Sequence, residues 1–202
     1  VYKRQVFVVD APAADRLLFI TDAAINIAPD LDTKRDIAQN AIDLAQALGV
    51  ATPRVALLAA VETVNARMPA TLDAAALCKM ADRGQITGAV LDGPLAFDNA
   101  ISLAAAKTKD IVSPVAGQAD ILLTPDLESG NMLAKQLEYL GGAVIAGLVV
   151  GTRVPIILTS RADGVEARLA SCALAVLQRQ ALLRAAGQLD ATDVSPDKAQ
   201  TA

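Results

Sequence analysis

The feature that most restricts the fold is the alternation of short apolar runs with longer segments of helical periodicity. The apolar runs predict strands at residues 5–9, 16–21, 54–60, 86–91, 119–124, 143–150 and 154–158. The segments between them predict helices at residues 33–48, 71–83, 98–107, 129–140 and 163–186. Strands that alternate with helices in this way are typical of an α/β domain in which helices flank a mostly parallel sheet.

Turn residues and apolar spacing add detail to this pattern. An Ala/Pro/Asp-rich turn between the first two strands predicts a hairpin, and Asp92-Gly93-Pro94 is predicted to end the fourth strand. The final helix repeats apolar residues at helical spacing, which predicts that one of its faces belongs to the core. These residues are Leu169, Cys172, Ala173, Val176, Leu177 and Leu183.

The residue types present exclude several kinds of chemistry. The chain has no histidine, which removes Ser-His-Asp and Cys-His catalysis, His-ligated zinc and His-ligated haem, and no metal site is predicted. Its 18 basic and 22 acidic residues give a net charge of -4, which argues against a nucleic-acid partner. The sequence has no membrane-spanning apolar run, and Cys78 and Cys172 lack the spacing of a redox motif. We therefore expect a cytoplasmic protein with two reduced core cysteines.

Polar residues cluster where the predicted strands end. In open α/β sheets, ligands bind beyond the carboxyl ends of the strands, where loops and helix N-termini meet. Candidate substrate-binding residues at such positions are Asp22, Asn26, Asp126 and Asn131. Acidic residues at strand ends also form caps and turns, so the sequence leaves both roles open. The sequence contains neither the glycine-rich dinucleotide motif nor the P-loop motif.

The most informative cluster follows the last predicted strand. Ser160 and Arg161 precede the final helix, whose free backbone N–H groups favour an anion such as phosphate. Arg161 can bind phosphate oxygens in bidentate geometry, and Ser160 can donate to the same group or to a developing oxyanion. Asp163 and Glu166 have the spacing of a capping box, so a structural helix cap is the alternative interpretation, and the two roles can coexist.

Four long strings carry a family resemblance. They are FITDAAINIAPDLDTKRDIAQNAIDLA (residues 19–45), MPATLDAAALCKMADRGQITGAVLDGPLAFDNAIS (68–102), ADILLTPDLESGNMLAKQL (119–137) and VPIILTSRAD (154–163). They closely resemble the phosphate acetyltransferase and phosphate butyryltransferase family, nearest to the transferase part of the bifunctional enoyl-CoA hydratase/phosphate acetyltransferases. The resemblance implies reversible acyl transfer between coenzyme A (CoA) and inorganic phosphate. It also implies that acyl-CoA and acyl phosphate are substrates, that no cofactor is tightly bound, and that the protein is a homodimer.

The same resemblance implies a domain arrangement. The fold would be of the isocitrate/isopropylmalate dehydrogenase-like type, with the active site in the cleft between two domains. Residues 21–149 would form an inserted α/β domain, and residues 1–20 and 150–189 would form part of the first domain. The chain would thus be N-terminally truncated, an expectation suggested also by its start at Val1. The polar residues 190–202 are expected to form a loose tail.

Site residues can be carried over from the resemblance at two positions. Ser160 and Arg161 match a Ser-Arg pair that the family places at the CoA thiol and the phosphate. Acetyltransferase members also have an Asp seven residues beyond the Ser, thought to take the thiol proton, but this chain has Ala167 there, with Asp163 and Glu166 as possible substitutes. The expected reaction is a direct transfer in a ternary complex. Two alternatives stay open: an incomplete fragment that binds CoA or dimerises, and an enzyme resembling acyl-carrier-protein:phosphate acyltransferases.

Overall fold

A seven-stranded sheet organises the computed structural model, which describes residues 3–187. The strands are β1 (Arg4–Asp10), β2 (Leu18–Thr21), β3 (Arg54–Leu58), β4 (Val90–Leu95), β5 (Ile121–Leu123), β6 (Val144–Val150) and β7 (Ile156–Ile157). The helices are α1 (Leu31–Ala47), α2 (Pro69–Asp82), α3 (Phe97–Ile101), α4 (Leu103–Thr108), α5 (Leu127–Tyr139) and α6 (Val165–Ala185). The expected tail at residues 190–202 lies outside the described residues.

The strand order is β4-β3-β5-β2-β1-β6-β7. Neighbours from β4 to β2 pair in parallel, whereas β1 pairs antiparallel with β2 and with β6, and β6 pairs antiparallel with β7. The predicted hairpin of β1 and β2 is confirmed. The predicted α/β class, a sheet with helices on its faces, is also confirmed, and the sheet is mixed, with its parallel strands together on one side.

The core has one apolar layer on each face of the sheet. One layer packs α1, α2 and α6 against the strands, through residues such as Ile37, Leu77 and Leu174. The other layer includes Ala100 of α3, Ala106 of α4 and, at its margin, Leu133 of α5. Alanines contribute much of both layers, which lets helices approach the sheet closely without large aromatic side chains.

Two predicted elements differ from the structure near the edge strand β4. The strand runs from Val90 to Leu95, so Asp92-Gly93-Pro94 lies within it and the predicted strand at 86–91 is wrong in position. Gly93 explains the difference, because a Cβ there would lie 2.6 Å from the Cβ of Leu57, and the β3–β4 register shifts at this point. In a sequence, a glycine at a β-bulge looks the same as a glycine in a turn, so Asp92-Gly93-Pro94 was predicted to end the strand.

The predicted helix at 98–107 is two helices, because Ser102 has extended backbone between α3 and α4. Its hydroxyl oxygen accepts a hydrogen bond from the backbone N–H of Ala105 at 3.3 Å and so caps α4. The last strand, predicted at 154–158, is shortened to the two residues of β7.

The predicted core face of α6 is wrong. Leu169 is 64% exposed and Val176 is 55% exposed, while Ser171 and Leu174 are the buried residues that face the sheet. Cys172 is exposed and Cys78 is half-buried, so only Cys78 is near the core. Apolar spacing alone therefore does not show which face of a helix packs on the sheet.

None of the helices within residues 3–187 combines the length and hydrophobicity needed to cross a bilayer. Within the same residues, no group of three or more Cys, Asp or Glu side chains is placed to hold a metal ion.

Candidate active site

A cavity of about 190 Å³ lies between α5, the middle of β1, the start of β6 and the turn that follows β7. Its floor is apolar and its rim is polar. The floor consists of Phe7, Ala24, Ala134, Ile145 and Leu158. The rim consists of Asn131, Lys135, Glu138, Thr159, Ser160 and Asp163.

The packing of α5 sets one wall of this cavity. Asp126 caps the helix, because its Oδ1 accepts hydrogen bonds from the backbone N–H and the hydroxyl of Ser129, both at 2.8 Å. Gly130 then lies against the ends of β2 and β5, where a Cβ would be 2.6 Å from the Oγ1 of Thr124. Only a residue without a side chain fits that contact, so Gly130 fixes how closely α5 approaches the sheet.

The opposite wall is the turn after β7. The backbone N–H of Ser160 donates to the Oδ2 of Asp163 at 2.6 Å, and the N–H of Asp163 donates to the carbonyl of Ser160 at 3.2 Å. The Oγ of Ser160 accepts from the N–H of Ala162 at 3.3 Å, which leaves the hydroxyl proton available to a ligand. This turn presents a hydroxyl and a carboxylate side by side at the rim.

The predicted capping box is wrong. The N-cap of α6 is Gly164, and no side chain caps it. The carboxylate of Asp163 instead bonds the backbone of Ser160, inside the preceding turn. Glu166 lies exposed in the first turn of α6 and does not line the cavity.

The structure brings three of the candidate residues together: Asn131, Ser160 and Asp163 all line the cavity. The Nδ2 of Asn131 donates to the carbonyl of Ala23 at 3.2 Å and so ties α5 to the loop after β2. Arg161 is exposed just beyond the rim, where its carbonyl accepts from the Nη2 of Arg168 at 3.5 Å.

Asp22 and Asn26 do not line the cavity but shape the loop beside it. The Oδ1 of the buried Asp22 accepts from the backbone N–H groups of Ala24 at 3.0 Å and Ile25 at 2.9 Å. The Nδ2 of Asn26 donates to the other carboxylate oxygen of Asp22. The contacts of Asp22, Asn26 and Asp126 are therefore those of turn and cap residues.

Two charged rim residues were missed by the sequence analysis. Lys135 and Glu138 of α5 form an ion pair at 3.4 Å, and the Lys135 ammonium lies 5.4 Å from the ring centroid of Tyr139. Both residues share a helix face with Asn131, at i+4 and i+7. Extending the helical spacing from Asn131 would have found them.

Among the described residues, the rim carries one cation, Lys135, against two carboxylates, Glu138 and Asp163. The cavity itself therefore does not favour an anion, whereas the exposed Arg161 directly follows the rim residue Ser160 in the chain. Chemically, the arrangement offers an apolar space with a hydroxyl and a carboxylate at its rim, and an arginine next to the hydroxyl residue in sequence.

Comparison with a solved structure defines the class of fold. The chain superposes on a branched-chain phosphotransacylase from Enterococcus faecalis V583 with a TM-score of 0.82 and 38% sequence identity, over 88% of this chain and 63% of that one. The fold is therefore that of a phosphotransacylase.

Sequence comparisons give the family. The family model described as phosphate acetyl/butaryl transferase matches residues 4–176. A phosphate acetyltransferase from Rhizobium meliloti is 68% identical over 85% of this chain and 54% of its own length. A phosphate butyryltransferase from Clostridium acetobutylicum is 50% identical over 85% of this chain and 57% of its own length. The chain belongs to the phosphate acetyl/butyryl transferase family, and it spans about half the length of these relatives.

Proposed function

We propose that the chain forms one side of the active site of a phosphate acyltransferase, which exchanges an acetyl or butyryl group between CoA and inorganic phosphate. The observation that carries the proposal is the cavity rimmed by Ser160 and Asp163 with Arg161 beside it. These residues follow the strand at which the family resemblance placed the reacting groups. Family membership and the names of the relatives support the same reaction.

The proposed reaction is a direct transfer in a ternary complex. In the direction of acyl-CoA formation, the CoA thiol gives its proton to a carboxylate, and the sulfur attacks the carbonyl carbon of the acyl phosphate. A carbon–sulfur bond forms, the tetrahedral oxyanion collapses, and the carbon–oxygen bond to phosphate breaks. No covalent bond to the protein is required, which is compatible with a chain that has no histidine.

Three side chains have roles in this scheme. Asp163 accepts the thiol proton in place of the Asp that Ala167 replaces, and it is favoured over Glu166 because only Asp163 lines the cavity. Ser160 donates a hydrogen bond to the oxyanion. Arg161 neutralises the phosphate as it leaves.

Replacing Arg161 with Ala tests the proposal. In the complete protein that carries this chain, Arg161→Ala should lower kcat/KM for acyl phosphate formation by about 100-fold or more, as the loss of a charged transition-state contact does. Release of the CoA thiol from acyl-CoA and phosphate measures the rate. Arg161 is exposed, so the fold should survive the change.

Arg153→Ala is the matched control, because Arg153 is also an exposed arginine but precedes β7. Its kcat/KM should stay within about twofold of the unsubstituted protein, as for most surface substitutions. Near-normal turnover of Arg161→Ala would contradict the proposed role of Arg161.

We also propose that residues 21–149 form an inserted domain, and that residues 1–20 and 150–189 belong to a first domain completed by chain that is not part of this sequence. Two observations support this. Ile156 and Ile157 of the edge strand β7 are exposed, and α6 exposes an apolar seam with the 4-3-4 spacing of a packed helix. This α6 seam consists of Val165, Leu169, Cys172 and Val176.

The homodimer and the cytoplasmic location belong to the same proposal. Acyl-CoA and acyl phosphate are the substrates expected from the family, and the active site would lie in the cleft between the two domains. The free thiols of Cys78 and Cys172 agree with a reducing compartment.

A second candidate function is a CoA-binding module without turnover. The observation that favours it is the half-length match to the relatives. Isothermal titration of the chain with CoA, run beside an assay of phosphate-dependent acyl transfer, separates binding from turnover. Transfer from an acyl-carrier protein but not from acyl-CoA would instead indicate the acyl-carrier-protein-dependent type of enzyme.

A further inference from the structure

The floor of the cavity is built from apolar side chains that come from separate parts of the fold. Phe7 comes from β1, Ala24 from the loop after β2, Ala134 from α5 and Ile145 from β6, and Leu158 directly follows β7. Gly147 of β6 makes this junction possible, since a Cβ there would collide with the carbonyl oxygen of Leu158 and lie 3.0 Å from the ring of Phe7. The Phe7 ring therefore packs over a strand residue that has no side chain, beside the cavity.

The charges of the rim decide which part of a substrate can enter. Two carboxylates, Glu138 and Asp163, face one ammonium, Lys135, and that ammonium is already paired with Glu138 at 3.4 Å. A phosphate inside the cavity would meet net repulsion and an apolar floor that cannot hydrogen-bond it. A neutral hydrocarbon group meets neither penalty.

The size of the cavity agrees with an aliphatic occupant. Its volume of about 190 Å³ is roughly six times the ~30 Å³ that one water occupies in the liquid. A methylene group fills a comparable volume, so a four-carbon acyl chain fits with room for one or two further carbons.

We propose that this cavity holds the hydrocarbon chain of the acyl group during transfer, and that Ala134 and Leu158 determine which chain lengths are accepted. The inference rests on the proposed function, because the rim hydroxyl of Ser160 would then lie at the reacting carbonyl. The hydrocarbon chain extends from that carbonyl over the floor. The charged phosphate stays outside, next to Arg161.

Filling the cavity from α5 should shift the chain-length preference. Ala134 is 4% exposed, and Ala134→Leu places a larger side chain in the floor. One methylene that no longer fits a hydrophobic pocket costs about 10–200-fold in kcat/KM. In the complete protein, we therefore expect the ratio of kcat/KM for butyryl-CoA over acetyl-CoA to fall at least about tenfold.

Opening the cavity should have the opposite effect. Leu158→Ala shortens a side chain of the floor and so enlarges the cavity. The backbone N–H of residue 158 can still donate to the carbonyl of Gly147, as it does at 3.0 Å in the unsubstituted chain. The ratio of kcat/KM for hexanoyl-CoA over butyryl-CoA should rise by about tenfold. If Ala134→Leu does not fold, Leu158→Ala still tests whether the cavity sets the accepted chain length.

Gln136→Leu is the matched control, because it adds the same side chain to an exposed position of the same helix. It should leave both ratios within about twofold, as surface changes usually do. Unchanged ratios in a folded Ala134→Leu or in Leu158→Ala would overturn the inference and leave the proposed function intact. Absence of phosphate-dependent turnover with every acyl-CoA, in the unsubstituted protein, would instead overturn the proposed function.

Discussion

Ser160 and Asp163 hold each other in place through the backbone of one turn. The N–H of Ser160 donates to the Asp163 carboxylate at 2.6 Å, and the carbonyl of Ser160 accepts from the N–H of Asp163. The carboxylate proposed to take the thiol proton is thus oriented by the residue whose hydroxyl is proposed to meet the oxyanion. A change of Asp163 is expected to disturb both groups.

The two cysteines should differ strongly in reactivity. Burial, and then the nearby carboxylates of Asp92 and Asp82, raise the pKa of the Cys78 thiol to about 11. At pH 8 only about one Cys78 in a thousand is a thiolate, the form that iodoacetamide attacks. We therefore expect the exposed Cys172 to be alkylated first, and labelling of Cys78 to increase as the pH rises towards 11.

Peptide mass spectrometry after timed labelling measures both sites. In a Cys172→Ser variant, early labelling at pH 8 should disappear, because the buried thiol of Cys78 remains protonated. Alkylation of Cys78 at the same rate as Cys172 under native conditions would show that burial does not protect the Cys78 thiol.

At this scale, the sequence predicted the residue types of the site but not how they come together. Asn131, Ser160 and Asp163 were predicted because each follows a predicted strand. β5 and β7 run in opposite directions, however, so their ends lie at opposite edges of the sheet. The three residues meet because α5 runs back along the sheet to the turn after β7. Phe7 could not be predicted, because its side chain reaches the cavity through the antiparallel pairing of β1 with β6, and pairing partners are not readable from a single strand.

At the scale of elements, one buried hydroxyl connects α6 to the sheet. The Oγ of Ser171 accepts from the backbone N–H of Gly147 at 3.1 Å and donates to the carbonyl of Ala167 at 2.7 Å. Ser171→Ala should lower the free energy of unfolding by about 1–3 kcal/mol, because the buried N–H of Gly147 is left without its partner. Urea unfolding followed by circular dichroism measures the change.

Thr108→Ala is the matched control for this change. The Thr108 hydroxyl also donates to the carbonyl four residues earlier, that of Ala104 at 2.9 Å, but it is exposed and binds no second element. Its effect should stay below about 0.5 kcal/mol. Equal effects of the two substitutions would mean that the bond across to β6 does not contribute to stability.

Elements with a complete local signal were predicted well. The helix at 33–48 differs from α1 mainly at its start, which the Asp30 side chain caps by accepting from the N–H of Thr33 at 2.8 Å. The position of β4 was missed because it depends on packing against Leu57. The break at Ser102 was missed because apolar residues continue on both sides of it, although the Ser102 hydroxyl caps α4.

At the scale of the whole molecule, the exposed α6 seam should govern how the chain behaves alone. A contiguous apolar surface that is exposed to solvent favours association between protein molecules. We expect the 202-residue chain to self-associate in sedimentation and to bind the dye ANS. Replacing Leu169 and Val176 with Glu should reduce both, because two charges then interrupt the seam.

Val112→Glu provides the control, since Val112 is fully exposed but lies apart from α6, in the segment after α4. It should change neither measurement. A monomeric unsubstituted chain without ANS binding would argue against a packing role for the α6 seam. The sequence predicted that this face belongs to the core, which is wrong for the described residues, where Leu169 and Val176 are exposed.

The pairing of β1 with β6 joins residues 4–10 to residues 144–150, on the antiparallel side of the sheet. During synthesis, β1 and β2 emerge from the ribosome long before β6, so the β1 edge of the hairpin stays unpaired until roughly 130 further residues have been made. Closing so long a loop is entropically costly and slow. The antiparallel side of the sheet is therefore expected to form late in folding, and a chaperone that binds early would shield the open edge of β1.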